Sequence, residues 1–430
     1  MLLDRAVQSL EIRDRGQLAT RFSVASYGQA LRDVRQRYAP DLRLALMRCE
    51  IEIRDHAAYT NLLNLLRTML REYIYEDRIQ TAMISIRGGV VGGHNIDQFA
   101  KKLIQLTVSL GSHKTAALFT NSLEQECEFQ FFTLLGGARI DTPVELYDSV
   151  DIIPLSQNEG ELPGYIPPMF DRPGLERFRG STLIIENRVV TPRYINPKSY
   201  LGMQDPVGNT LFRYSHKSTQ MPSFNALEFC NALSMVAKTR VFPSVSWRFV
   251  SEDEVINLGS GSGYSWTPDP NPHLRTTVTG QQIQEAKNVY SSLTELSPDD
   301  RARLSVPIDR LIASWGGKAQ VDQIIDLAIA LESLYLPEFD SELSYRLRNR
   351  GARFLGKGLS ERKALAAQLR DFYKVRSKAV HTGKISDTHK VGGQRVESAE
   401  FIRMTQDLCL RSIRQVLDGG FPDWETLELQ

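Results

Sequence analysis

Residues 369–383 read Leu369-Arg370-Asp371-Phe372-Tyr373-Lys374-Val375-Arg376-Ser377-Lys378-Ala379-Val380-His381-Thr382-Gly383. On a helical wheel at about 100° per residue, the segment 362–381 gathers Leu365, Leu369, Phe372, Tyr373 and Val380 into one apolar stripe. Arg370, Asp371, Lys374 and Lys378 take the opposite side, and Arg376 falls in the middle of the stripe. A guanidinium cannot shed its charge, so one turned toward a core must pair with an anion or line a cleft. His381 closes the same helix, with Gly383 just past it as a helix stop. An arginine and a histidine at one fixed spacing carry little alone, because a chain with 38 arginines and 7 histidines offers such a pair by chance about as often as not. A looser pair, Arg87 with His94, stands among glycines. What sets Arg376 apart is its place on the wheel.

A matching anomaly lies upstream. In residues 321–336 the apolar stripe is Val321, Ile324, Ile325, Ala328, Leu331 and Tyr335. Glu332 sits within it, while Asp322 and Asp326 sit outside. One helix thus offers a carboxylate toward the core and another a guanidinium. A buried pair between Glu332 and Arg376 is the economical expectation, and such pairs serve geometry more reliably than stability. Arg350, bordering the stripe of Leu343, Leu347 and Phe354, is a rival partner for Glu332.

Three ordered segments carry a resemblance. The run Asp322-Gln323-Ile324-Ile325-Asp326-Leu327-Ala328-Ile329-Ala330-Leu331-Glu332-Ser333-Leu334 resembles the opening helix of Apea-like HEPN domains. Leu343-Ser344-Tyr345-Arg346-Leu347 with Arg350, Ala352 and Leu355 is similar to their next helix. Tyr373-Lys374-Val375-Arg376-Ser377-Lys378-Ala379-Val380-His381 looks like their Arg-x4-His ribonuclease motif. The resemblance covers roughly residues 285–418. The family usually has Gly directly after the His; here Thr382 intervenes before Gly383. The resemblance implies a helical bundle that pairs about a two-fold axis, with both motifs lining one cleft. It also implies RNA as substrate, with Arg376 and His381 as the catalytic pair.

Composition is that of a globular protein, with 42% hydrophobic and 24% charged residues over 430 positions, long enough for roughly two or three domains. No apolar run approaches the roughly 18 residues that span a membrane, and the start Met1-Leu2-Leu3-Asp4-Arg5 lacks a secretory pattern. A cytoplasmic protein with no membrane partner is expected. Cys49, Cys127, Cys230 and Cys409 lie far apart, without close Cys/His clusters, so buried reduced thiols are expected in place of a zinc site. No metal or cofactor is called for. Net charge is only +1, yet residues 346–395 hold 14 Lys/Arg against Glu361, Asp371 and Asp387, which leaves the rest of the chain acidic. A basic segment centred on the Arg/His pair suits a polyanion such as RNA. Its plain alternative is a solvated face neutralised by acidic neighbours in the fold.

The expected fold class is α+β, with a mixed N-terminal region over residues 1–258, a linker over 259–280 and an all-α bundle over 281–430. Gly259-Ser260-Gly261-Ser262-Gly263 followed by Pro268, Pro270 and Pro272 shows no helical period. The Ser-Gly alternation lacks the Lys-Ser/Thr of a phosphate loop, so it reads as linker. Helices are expected at 281–295, 307–315, 319–336, 341–356, 360–381 and 396–418, which fits an extended four-helix bundle. Upstream, 82–86, 150–155, 182–186 and 245–250 read as strands, and 97–110 and 223–238 as helices. The Pro-rich stretch 163–173 reads as a surface loop. Arg87-Gly88-Gly89-Val90-Val91-Gly92-Gly93-His94 reads as a turn between strand and helix, with a ligand loop as the sharper alternative. His216, beside Arg213 and Lys217, reads as an exposed polar loop residue.

RNA carries its own nucleophile in the 2′-hydroxyl. An imidazole with an ordinary pKa near about 6.5 suits removal of that proton at neutral pH. A planar guanidinium can donate two hydrogen bonds to the phosphoryl oxygens that gain charge. His381 and Arg376 thus supply the essential parts, and no metal is needed. Tyr373, Lys374, Ser377 and Lys378 flank the motif as RNA-contact candidates. Five residues on an intact helix put the two side chains about 140° apart, so both reach one phosphate only if the helix loosens near Thr382-Gly383 or a second subunit completes the site. Two function classes remain open: a metal-independent endoribonuclease acting in defence or as a toxin, restrained through its N-terminal region by a trigger or inhibitor, and a non-catalytic HEPN module that binds nucleic acid or a protein.

Overall fold

The computed structural model describes residues 10–14, 49–53, 56–85, 88–123, 126–155, 180–191, 193–199, 213–216, 224–249, 265–266, 275–336 and 342–429. In chain order the elements are β1 (Leu10–Asp14), β2 (Cys49–Ile53), α1 (His56–Met69), β3 (Ile74–Tyr75), β4 (Arg78–Ser85), β5 (Gly88–Asn95), α2 (Ile96–Leu110), α3 (Ser112–Ser122) and β6 (Cys127–Gly136). There follow β7 (Ala138–Arg139), β8 (Val144–Tyr147), β9 (Val150–Pro154), β10 (Thr182–Thr191), β11 (Arg213–His216), α4 (Ala226–Ala237), β12 (Phe242–Phe249), β13 (Ser265–Trp266) and β14 (Thr276–Thr277). The rest is α5 (Gly280–Glu295), α6 (Pro298–Ser314), α7 (Gln320–Tyr335), α8 (Leu343–Leu355), α9 (Leu359–Thr382), β15 (Thr388–Val391), β16 (Gln394–Glu397), α10 (Ser398–Gly419) and α11 (Trp424–Leu429). The fold is therefore α+β, with β-sheets and helices in the N-terminal part and a largely helical bundle from residue 280 onward. Among the described residues no helix is long and apolar enough to cross a membrane.

The chain divides into two units. The first takes Met1–Leu134, Tyr147–Phe224 and Ser244–Thr267; the second takes Leu135–Leu146, Asn225–Pro243 and Pro268–Gln430. The second unit thus draws in two segments that precede the 259–280 stretch. In the first unit, β13, β12, β6, β10 and β9 lie side by side, with β11 also paired to β10. Phe132, Leu183, Val245 and Trp247 form a core on that sheet, and the Phe132 and Trp247 rings stack at 5.5 Å. A second core gathers Leu62 and Leu66 of α1, Leu70 just past it, Ile96, Phe99 and Leu103 of α2, and Tyr194. Gly88–Asn95 pairs with β4 along its whole length, so the glycine cluster runs as a strand where a turn was expected.

In the second unit α7 is the central helix, packed against α6, α8, α9 and α10. Leu327, Ala330 and Leu334 are buried as fully as the expected stripe of Ile324, Ala328, Leu331 and Tyr335. A helix surrounded by neighbours is buried on all sides. This overturns one expectation: Asp326, placed outside the stripe, is buried, and Arg310 and Lys318 reach it at 3.1 and 2.7 Å. Asp322 is exposed as expected. Helix α6 begins well before the expected 307, because Ser297 caps it through the Asp300 amide and Pro298 opens its first turn. Pro307 lies inside it, where a sequence reading takes proline as a boundary.

The hairpin β15–β16 and the short α11 went unread, as did α1, α3 and β6 upstream. Ser265–Trp266 and Thr276–Thr277, within the stretch read as linker, form short strands. Gly259–Gly263, the three prolines at 268, 270 and 272, the 163–173 stretch, Arg87 and Lys217 lie outside the described residues. His216 falls on β11 and not in a loop.

Candidate active site

Helix α9 carries the motif. It starts after Gly358, which offers no side-chain cap, and runs unbroken to Thr382. Gly383 ends it at φ 63°, a left-handed conformation glycine adopts without strain, with its amide bonded to Ala379 O at 2.9 Å. Ser360, read as the helix start, is one residue inside the first turn.

Leu365, Leu369, Phe372 and Ala379 are the buried residues of this helix. Arg376 lies on the inward side with them and is ion-paired to Glu332: its Nη2 stands 3.1 Å from Oε1 and 3.4 Å from Oε2. The two side chains are 25% and 24% exposed, so the pair sits at the rim of the core and is not fully buried as expected. The guanidinium also lies over the Tyr373 ring, 5.4 Å from its centroid. Among the described residues the buried Arg376 Nε has no hydrogen-bond partner. Glu332 thus holds the guanidinium through Nη2, while Nε is shielded from solvent. The rival partner is otherwise engaged. Arg350 binds Glu428 of α11 and the Tyr335 carbonyl, and lies over the Trp424 ring.

His381 stands exposed in the last turn of α9, beside Val380. Val380 is also exposed, at 49%, a correction to its place in the apolar stripe: the bundle ends before covering it. Because the helix does not loosen before Gly383, Arg376 and His381 keep the roughly 140° separation of an intact helix. One copy of α9 therefore does not turn both side chains onto the same phosphate.

Among the flanking candidates, Lys374 is exposed and 3.8 Å from Asp371, while Ser377 and Tyr373 are half-buried. Lys378 is exposed and donates to Ser386 Oγ at 2.8 Å. Charge pairing in this unit differs from element to element. Every arginine of α6 and α10 is ion-paired: Arg301, Arg303, Arg310, Arg403, Arg411 and Arg414. Lys378, Lys384, Lys390 and Arg395 are exposed and carry no carboxylate partner among the described residues. The last three were missed, and they lie on the hairpin and its approach. The signal was present: Gly392-Gly393 between two short runs with valines is a two-residue hairpin pattern.

The root of the hairpin is a hydrogen-bonded knot. Ser398 Oγ donates to Ser386 O and lies 2.9 Å from His389 Nε2. The single hydroxyl proton is committed to the carbonyl, so His389 donates through Nε2. The buried His389 ring packs on Phe401 at 4.7 Å. Burial, and then the nearby Lys378 ammonium, hold its pKa below the ordinary histidine value. Compared with protein-family models, curated proteins and solved structures, the chain finds no match.

Proposed function

We propose that this chain is a metal-independent endoribonuclease of HEPN type. The observation that carries the reading is the arrangement on α9: an arginine held by Glu332, and an exposed histidine about a turn and a half further on, near Lys378, Lys384, Lys390 and Arg395, which have no carboxylate partner among the described residues. The three segments that resemble Apea-like HEPN domains fall on α7, α8 and α9, consecutive helices packed on one another, which supports reading them together.

In the proposed reaction the His381 imidazole takes the proton of a ribose 2′-hydroxyl. The 2′-oxygen forms a new bond to the adjacent phosphorus as the bond to the 5′-oxygen breaks. The leaving oxygen gains a proton, and the products end in a 2′,3′-cyclic phosphate and a 5′-hydroxyl. Arg376 donates to the phosphoryl oxygens as charge builds there, and Glu332 fixes its orientation. Because a single intact helix splays the two side chains, the site is completed by a second copy of the chain, which brings its His381 to the Arg376 of the first, and water supplies the proton for the leaving oxygen. The half-exposed Val380 beside His381 gives such a partner an apolar contact. The N-terminal unit is assigned the regulatory role, where a trigger or inhibitor of a defence or toxin effector would act.

The test is RNA cleavage by the full chain in EDTA, wild type against His381→Ala. Cleavage by the wild type and its loss in the folded variant are expected. Equal activity in both would remove His381 from the reaction. The Arg376–Glu332 pair also suits a non-catalytic HEPN module, and that reading is left standing if RNA is bound but never cut.

A further inference from the structure

The hairpin β15–β16 presents two faces. Its inner face carries His389, Val391 and Val396, which are buried or half-buried, and its outer face carries Thr388, Lys390, Arg395 and Glu397. The register places Lys390 directly opposite Arg395. Two like charges in that position repel one another, which a strand built only for stability avoids. Among the described residues neither has an ion-pair partner, although Glu397 shares their face. Arg395 Nε donates to Thr388 Oγ1 at 2.9 Å, which lays the guanidinium across the outer face, and among the described residues its terminal nitrogens meet no acceptor.

The hairpin is also held in place. Lys378, on the motif helix, binds Ser386 at its base, and Ser398 ties that base to His389. Gly392 and Gly393, at φ 60° and 94°, close it in a tight two-residue turn. Thr382 Oγ1 accepts from the Lys384 amide at 3.3 Å, so the chain leaves His381 through an ordered turn.

We propose that this hairpin is a phosphate-gripping arm: Lys390 and Arg395, with Lys384 at its approach, hold the RNA backbone beside the phosphodiester whose 2′-hydroxyl His381 deprotonates. The arm gives the opposed cations an anion to share. It rests on the ribonuclease reading of α9 and adds to it a second element, outside the Arg-x4-His helix, that binds flanking nucleotides.

The experiment uses the full chain carrying His381→Ala, so that RNA is bound and not consumed, with a short fluorescein-labelled single-stranded RNA. Affinity is read by anisotropy across a salt series, with and without Lys390→Gln/Arg395→Gln. The arm predicts a weakening of about tenfold at low salt. The slope of log affinity against log salt falls by about 1.4, two single-strand phosphate contacts at about 0.7 each. The control Arg403→Gln/Arg411→Gln, which removes cations already ion-paired, leaves affinity and slope unchanged. Thermal stability of the hairpin variant does not fall, since a repulsive pair has been removed. Unaltered affinity and slope in the hairpin variant overturn the arm, whether or not the wild type cleaves. Binding without cleavage by the wild type, with the predicted loss in the hairpin variant, keeps the arm and removes the nuclease reading. No RNA binding at all removes both.

Discussion

At the scale of single residues, the informative side chains are charges on the wrong face. Arg376 and Glu332 each break the apolar stripe of their helix, and the structure joins them. That pair was legible because a helical wheel needs only the sequence and the period. Its depth was not, since burial depends on what the other helices cover. The same ignorance misplaced Asp326, whose solvent face on the wheel is roofed by α6. A fully buried pair loses roughly 3–5 kcal/mol when one partner is removed, and an exposed one about 0–1. With each side chain about a quarter exposed, Glu332→Ala is expected to cost about 2 kcal/mol in urea unfolding and to lower cleavage by freeing Arg376. A variant as stable and as active as the wild type would show that Glu332 does not hold the guanidinium.

In the C-terminal part elements were read well where periodicity ran long, and poorly where a short element depended on distant partners, while α1, α3 and β6 upstream were not read at all. Helices α5, α7, α8, α9 and α10 fall within two or three residues of their expected ranges. Helix α6 did not, because Pro307 is accommodated inside it while the cap at Ser297 sets its start. The hairpin β15–β16 has only four residues per strand, and what fixes it is the knot of His389, Ser398 and Ser386 at its root. That knot gives the element a pH dependence. His389 is held neutral, its pKa lowered by burial and then by Lys378 of α9; Ser398 and the uncharged Phe401 face it from α10. A histidine whose folded pKa lies below its unfolded value costs no stability above about pH 6.5 and destabilises the fold increasingly as pH falls below it. The protection factors of the hairpin amides are therefore expected to fall as pH drops from about 6.5 to 5, and His389→Gln to flatten that response. Protection independent of pH in the wild type would show that His389 does not secure the root.

For the molecule as a whole, the α+β class and the helical C-terminal part were legible, while the composition of the second unit was not. Segments 135–146 and 225–243 join it from far upstream, through contacts such as the Tyr290 hydroxyl with the Asn225 amide, which no local pattern announces. The unbroken α9 is what makes assembly a matter of mechanism. If two copies complete each site, a mixture of inactive Arg376→Ala and inactive His381→Ala chains should regain a substantial fraction of activity as mixed dimers form. Sedimentation should find a dimer at assay concentration, and full activity in a strictly monomeric species would count against a shared cleft.

The central claim is the chemistry at His381, and the ends of the cleaved RNA test it most directly. Fragments produced by the wild-type chain in excess EDTA are to be analysed for their terminal groups. A 2′,3′-cyclic phosphate on one side and a 5′-hydroxyl on the other, absent with His381→Ala, is the predicted result. Cleavage that requires a divalent metal and leaves 5′-phosphate ends would contradict it.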